Sequence, residues 1–252
     1  MEENICKFYK CDEPAMRFHP SRLCFQCYQK DPRYFVQKHQ LKVLDLFSGF
    51  GGFSEAFLLN NDQVLRIENN PLLAEVANTT LMDVRVLRDI IAEGIAKGDL
   101  NPYLADIDVI VASPPCYDFS LAFSAPQAIA SRNGEFDSYQ PDMELIETTL
   151  EIIEMLKPRY WIIENVSGSI RHFAKLGLKP RQTFGGTYMF YGNFPMFDCE
   201  IKETKATKGN RIAHGNPLRS NFRAIIPLEL SEAFRTAILN QRTIFDYMGE
   251  SE

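Results

Sequence analysis

Cys116 stands in Ser113-Pro114-Pro115-Cys116-Tyr117-Asp118-Phe119-Ser120, directly after the β-branched run at 108–112. Two consecutive prolines fix φ and push the residue before each out of the helical region. The thiol therefore sits on a stiff turn at a strand end, where a thiolate could attack an electrophilic carbon. A buried structural cysteine fits that turn equally well. Glu164 closes a second apolar run at 160–163. A buried carboxylate must be paired or protonated, whereas a surface acid at a strand end needs no such account. A third group is Cys6, Cys11, Cys24 and Cys27, spaced C-x4-C-x12-C-x2-C. Two close pairs can converge four thiolates on one tetrahedral ion, which zinc prefers. His19 could replace one ligand, and a pair of disulfides is the competing reading. The fourth group is the turn Ser48-Gly49-Phe50-Gly51-Gly52, whose glycines let backbone approach a ligand.

These groups need elements that deliver them to one place. Residues 42–47 read as a strand, the glycine turn follows, and 53–59 carry a helical pattern. A second strand at 63–67 ends in Glu68, about twenty residues on, where an acid binds ribose hydroxyls in nucleotide-binding units. Residues 71–80 are expected to form a helix opened by Pro71. Asp89 follows an apolar run at 84–88; it reads equally as an acceptor for an adenine amino group and as a helix N-cap. Residues 121–141 lack helical or strand period and are expected to be a long loop closing over Cys116. An amphipathic helix at 142–156 leads to the strand that ends in Glu164-Asn165-Val166. An aromatic hairpin is expected at 185–195, a polar basic segment at 198–222, and a last helix from Pro227.

The chain of 252 residues is 45% apolar and 24% charged, enough for one α/β domain with a small appendage. The expected division is a four-cysteine zinc-binding module at 1–40 and a catalytic domain at 41–252. No run long enough to span a bilayer is seen, so a soluble cytoplasmic protein without membrane partners is expected. Persistent disulfides are uncommon there, which favours zinc at the four cysteines. The net charge of −6 argues against nucleic acid only globally. Residues 167–223 hold ten Lys and Arg against three Asp and Glu. That local patch is a footprint for phosphates, or simply a solvated face.

Three motifs now stand in order on successive strand ends: Asp45-Leu46-Phe47-Ser48-Gly49-Phe50-Gly51-Gly52, Pro114-Pro115-Cys116-Tyr117-Asp118-Phe119-Ser120 and Glu164-Asn165-Val166. Together they resemble the S-adenosylmethionine-dependent DNA cytosine-C5 methyltransferases over roughly residues 41–240. The stretches 185–195 and 223–231 look most like the compact members of phages and prophages. The resemblance implies a Rossmann-like class I methyltransferase fold with a mixed, mostly parallel sheet. It implies Cys116 as nucleophile at cytosine C6, Glu164 on the cytosine edge and Asn165 bracing the Pro-Pro-Cys loop. Asp45, Phe47, Gly49, Gly51 and Pro114 would hold S-adenosylmethionine, with Glu68 on its ribose and Asp89 on its adenine. Base flipping is required, because C5 and C6 are unreachable inside a duplex.

The chain departs from that pattern in three ways. Tyr117 replaces a small polar residue. No Gln-x-Arg-x-Arg motif occurs, leaving Arg181 or Arg171 to supply its cation. The target-recognition region shrinks to 198–222, which points to a protein partner for sequence recognition. An RNA cytosine-C5 methyltransferase acting on tRNA is the rival enzyme. A catalytically silent cofactor- and DNA-binding module is the rival from another class.

Overall fold

The computed structural model describes residues 40–202, 213 and 215–241. Cys6, Cys11, Cys24 and Cys27, together with the basic residues at 205–212, lie outside the described residues. The described residues from Leu41 onward form one compact unit.

Its strands are β1 (Lys42–Leu46), β2 (Gln63–Glu68), β3 (Thr79–Leu81), β4 (Val109–Ala112), β5 (Tyr160–Asn165), β6 (Gln182–Phe184) and β7 (Tyr188–Asn193). They make a single seven-stranded sheet in the order β3-β2-β1-β4-β5-β7-β6. The first five run parallel, and β7 is antiparallel to both neighbours. This is the mixed, mostly parallel α/β sheet of a Rossmann-like fold. From β1 the chain goes one way to β2 and β3, then returns through β4 on the other side. The crevice outside such a reversal is where open α/β sheets take ligands. The register Leu46↔Ala112 makes Phe47 and Ser113 leave the sheet side by side, which sets the glycine turn beside the Pro-Pro-Cys turn.

Among the described residues the helices are α1 (Glu55–Leu59), α2 (Val84–Lys97), α3 (Pro126–Arg132), α4 (Glu144–Leu156), α5 (Ile170–Phe173), α6 (Arg219–Ala224) and α7 (Leu228–Leu239). A parallel sheet buried on both faces needs apolar residues at successive positions rather than alternate ones. β4 meets that demand with Val109, Ile110, Val111 and Ala112, all fully buried. Leu44, Leu46, Ile110 and Ile163 face one core with Leu87 and Ile91 of α2 and Ile152 of α4. Val43, Val111, Ile162 and Phe190 face the other, with Phe57 of α1 and Phe234 of α7. No helix among the described residues is long and apolar enough to cross a membrane.

Several elements differ from the sequence reading. The helix expected at 71–80 is a single 3-10 turn, Pro71–Leu73, capped by the Asn70 side chain. Asn78 then turns left-handed (φ 61°), and Thr79–Leu81 adds a strand beside β2. Its two threonines favour an extended conformation. The expected loop at 121–141 contains α3, whose buried face is Gln127, Ala128 and Ala130. Small and polar residues of that kind carry no apolar period to read. The hairpin spans 182–193, with Gly185 and Gly186 at φ 55° and 65°. Three residues, 185–187, join the paired Phe184 and Tyr188, and the Thr187 amide donates to the Phe184 carbonyl (3.1 Å) across the two left-handed glycines.

Candidate active site

A cavity of about 720 Å³ opens at the carboxyl ends of β1, β2 and β4. Its wall includes Asp45, Phe47, Gly49, Glu68 and Cys116 from the sequence-derived set, joined by Asp83 and Arg223.

The glycine turn is held by two buried charges. Glu68 accepts from the Gly49 amide through one carboxylate oxygen and from the Asn70 amide through the other, each at 2.8 Å. The turn is thereby tied to the end of β2. Phe47 takes a left-handed φ of 58°, a conformation that costs a side-chain-bearing residue about 1 kcal/mol or more. Beneath the turn lies Arg66, only 1% exposed. Its Nε donates to Ser54 Oγ (2.9 Å). Its Nη2 donates to the Gly51 carbonyl (2.9 Å) and to Glu55 (2.8 Å), and Nη1 donates to the Ala77 carbonyl (3.1 Å). Sequence reasoning passed over Arg66, although an arginine inside an apolar strand must find partners when buried.

Arg66 also corrects the role expected of Gly51. That glycine does not line the cavity; a Cβ there would lie 2.2 Å from the Arg66 guanidinium carbon. Its missing side chain makes room for a buried cation rather than for a ligand.

Ser54 Oγ donates in turn to Asp45 (2.6 Å). Burial pushes the Asp45 carboxyl up to about 7 from 3.8, against the opposing pull of the Ser54 hydrogen bond and the Arg66 charge. The folded value lies above the unfolded one, so the native state holds the extra proton between them. The resulting stabilisation is complete below about pH 4 and lost as pH rises through about 7. Replacing Asp45→Asn should remove a pH-dependent loss of roughly 4 kcal/mol, at 1.36 kcal/mol per unit. Denaturant titrations of both proteins at several pH values measure it, and parallel stability profiles would refute it.

Across the crevice, Asn165 ends β5 and donates from Nδ2 to the Pro114 carbonyl (3.2 Å). Pro114 is buried behind the wall and does not line the cavity, which corrects its placement among cofactor contacts. Ser113, Pro115 and Cys116 form that part of the wall. Glu164 is 3% exposed and also lies behind the wall. One residue beyond the Ala112↔Ile163 pair, the register sets it next to Ser113, while Val166 and Ser167 line the cavity. The segment after Cys116 is tied down as well. Tyr139 donates to the Asp118 carbonyl (3.1 Å), and Gln127 joins the Phe119 and Gly168 carbonyls to His172.

Two assignments fall elsewhere. Asp89 lies inside α2 on its exposed side and pairs with Arg88 (2.8 Å). The run before it is helical because Val84, Leu87 and Ile91 repeat at helical spacing toward the core. The N-cap is Asp83, which accepts from the Arg85 amide and lines the cavity. Arg181 packs over the Phe194 ring (5.6 Å) at the start of β6, away from the cavity wall. Arg171 lies over Phe136 (4.1 Å) and is not in the wall either. The cationic wall residues are Arg85 and Arg223. α6 brings Arg223 together with Ser220 and Asn221, and the latter two place the carboxyl end of the expected 198–222 segment in the cavity wall.

The wall suits a nucleoside carrying charged groups. Phe47, Ile67, Met82 and Val84 offer an apolar slot beside the carboxylates of Glu68 and Asp83. Four buried polar atoms of wall residues have no partner among the described residues: Ser48 Oγ, Ser113 Oγ, Thr187 Oγ1 and Arg223 Nε. Buried groups of that kind ordinarily find one. An S-adenosylmethionine-type cofactor fits this combination of apolar surface, acids and unmet donors.

Comparison with known proteins adds an independent line. The family model for C-5 cytosine-specific DNA methylases matches residues 41–179. Type II methyltransferase M.DdeI of Desulfomicrobium norvegicum is 28% identical over 129 residues, covering 51% of this chain and 28% of that protein. Type II methyltransferase M1.HphI of Haemophilus parahaemolyticus is 25% identical over 143 residues, covering 56% and 36%. The chain therefore spans about a third of these relatives' length. A prophage-encoded Escherichia coli protein assigned as a DNA modification methyltransferase aligns over 61% of this chain and 46% of its own, with 24% identity and a TM-score of 0.40.

Proposed function

The chain belongs to the C-5 cytosine-specific DNA methylase family, and we propose that it transfers a methyl group from S-adenosylmethionine to C5 of cytosine in DNA. The observation that carries the proposal is Cys116 in the wall of the same cavity as Glu68 and the glycine turn. A nucleophile and a nucleoside site thus share one space.

Cytosine C5 is a poor nucleophile. Attack of the Cys116 thiolate on C6 makes C5 enamine-like and divides one hard step into easier ones. The cofactor supplies an electrophilic methyl group on a sulfonium. After C5 is methylated, loss of its proton and expulsion of the thiolate restore the ring. Glu164 is assigned the cytosine edge, donating to N3 and accepting from the N4 amino group as negative charge develops on the ring. Its position beside Ser113, a residue of the cavity wall, supports this. Asn165 is assigned the bracing of the Pro-Pro-Cys turn, supported by its bond to the Pro114 carbonyl. Phe47, Gly49, Glu68 and Asp83 are assigned to the cofactor, with Asp83 in the place expected of Asp89. The target base must leave the duplex to reach Cys116.

The test is incubation with methyl-labelled cofactor and either duplex DNA or tRNA. Label at cytosine C5 of DNA is expected. Label in tRNA alone would make the protein an RNA enzyme, and binding of cofactor without label in either would make it a silent module. The proposal extends to the segments outside the described residues: a structural zinc on Cys6, Cys11, Cys24 and Cys27 within 1–40, and a reduced recognition segment within 198–222 that draws on a protein partner for sequence choice. One equivalent of zinc per chain is expected by elemental analysis, and a zinc-free folded protein would remove the module. A cytoplasmic setting would keep reduced the thiols that the nucleophile and the zinc would need.

A further inference from the structure

Cys116 takes its position from the backbone on either side of it. Before the thiol, Asn165 Nδ2 donates to the Pro114 carbonyl (3.2 Å). After it, the Phe119 amide donates to the Cys116 carbonyl (3.2 Å) and closes a turn. That turn is held by the side chain of Gln127, a residue of α3 that is 1% exposed. Gln127 Nε2 donates to the Phe119 carbonyl (3.4 Å) and to the Gly168 carbonyl (3.3 Å). Gly168 lies just past the Glu164-Asn165 end of β5. A Cβ on it would sit 2.0 Å from the Phe119 carbonyl oxygen, so the two backbones nearly touch there. One amide thus ties the strand end carrying Glu164 to the turn carrying Cys116.

Both carbonyls can only accept, so the amide must turn its N–H groups toward them and its oxygen away. On that other side Gln127 Oε1 meets His172 Nε2 at 2.7 Å. An accepting oxygen requires the proton on Nε2, which fixes the tautomer. Nδ1 is left as a bare lone pair, buried with no hydrogen-bond partner among the described residues. The Phe119 and Tyr139 rings stand beside the imidazole, with centroids 5.9 and 6.2 Å away. Burial, then the charges of Arg171 and Lys175, push His172 below its ordinary value. A second proton would have to enter at Nδ1, where it would find no acceptor. His172 therefore stays a neutral, one-sided donor. Neither His172 nor Gln127 lines the cavity, so both act on the site only through the turn.

We infer that His172 and Gln127 are positioning residues for methyl transfer: His172 orients the Gln127 amide, and the amide sets the Cys116 turn against the strand end bearing Glu164. The inference rests on the cytosine-methylation reading above.

Two measurements on the full chain test it. The rate of covalent adduct formation with 5-fluorocytosine DNA and S-adenosylmethionine reads the position of the thiol. Isothermal titration with S-adenosylmethionine reads the rest of the cavity. Gln127→Glu keeps an acceptor for His172 but, once ionised, offers the two carbonyls no donor. It should slow adduct formation roughly 10- to 100-fold, the scale of a small misplacement imposed from outside the site, with cofactor affinity kept. His172→Phe keeps a ring without the donor and should be slowed in the same way. His172→Gln returns an N–H and should regain part of the rate. Retained cofactor binding shows that each variant is folded. A wild-type adduct rate in Gln127→Glu and His172→Phe would overturn the inference. So would a loss of cofactor affinity in step with the rate, which is the mark of a merely structural pair. A wild type that forms no adduct and methylates no cytosine would instead overturn the methylation reading, and this inference with it.

Discussion

Cys116→Ala should reduce methyl transfer roughly 10⁴-fold or more, the scale on which loss of an enzyme's nucleophile or its activating partner costs turnover. Only a thiolate adding at C6 converts C5 into a carbon that attacks a sulfonium methyl group, and alanine offers no substitute. Affinity for the cofactor should change little, because Cys116 is one wall residue among many and the glycine turn is held from the other side by Glu68. DNA containing 5-fluorocytosine sharpens the test, since fluorine at C5 cannot leave as a proton and stalls the reaction at the covalent stage. The wild type should then give a denaturation-resistant protein–DNA adduct and the alanine variant none. An adduct formed by Cys116→Ala would transfer the role to another group; among the described residues the other thiol is Cys199. Cys199 lies beside α7 at a separate groove with Glu229 and Glu232. Burial and those acids push its thiol up, the wrong direction for a nucleophile.

The second large effect concerns Glu164. Glu164→Gln keeps size, an N–H that can donate to cytosine N3 and a carbonyl oxygen that can accept from N4, but removes the acidic proton on which N3 can draw as negative charge develops. Turnover should fall ~10²-fold or more, the scale on which one preorganised electrostatic contact to developing charge acts. The loss should appear in kcat, because ring charge develops only after the thiolate has added. Cofactor affinity should be retained, since Glu164 lies behind the wall next to Ser113 rather than among the cofactor contacts. Near-normal turnover would reject the assignment and leave Glu164 as a buried acid of β5. A matched loss of cofactor affinity would place its effect in the Pro-Pro-Cys turn, through the adjoining Asn165 and its bond to Pro114.

Much of this site was legible in the chain because its determinants are local. Pro114-Pro115 stiffens the turn wherever it occurs, and a continuous β-branched run such as Val109-Ile110-Val111 reads as a strand buried on both faces. Glycines after β1, with an acid at the end of β2, mark a ligand-binding turn by spacing alone. The readings that failed required knowledge of neighbours. Asp83 and Asp89 are both acids at the edge of one apolar stretch. Which of them faces the cavity depends on that stretch being a helix, decided by Val84, Leu87 and Ile91 packing on the sheet. Gly51 announced itself as a ligand glycine, but the guanidinium filling its empty side comes from a strand fifteen residues away.

The amino-acid order by itself determined the reactive groups, their sequence along successive strands and the class of sheet able to carry them, because turn stiffness, strand character and thiol chemistry depend on residues close in the chain. Tertiary structure alone decided which charges meet. It buried Arg66 beneath the glycine turn, kept Arg181 against Phe194 and brought Arg223 of α6 to the wall. The physical reason is that a charge far along the chain acquires a role only from the partners and the desolvation that folding imposes on it.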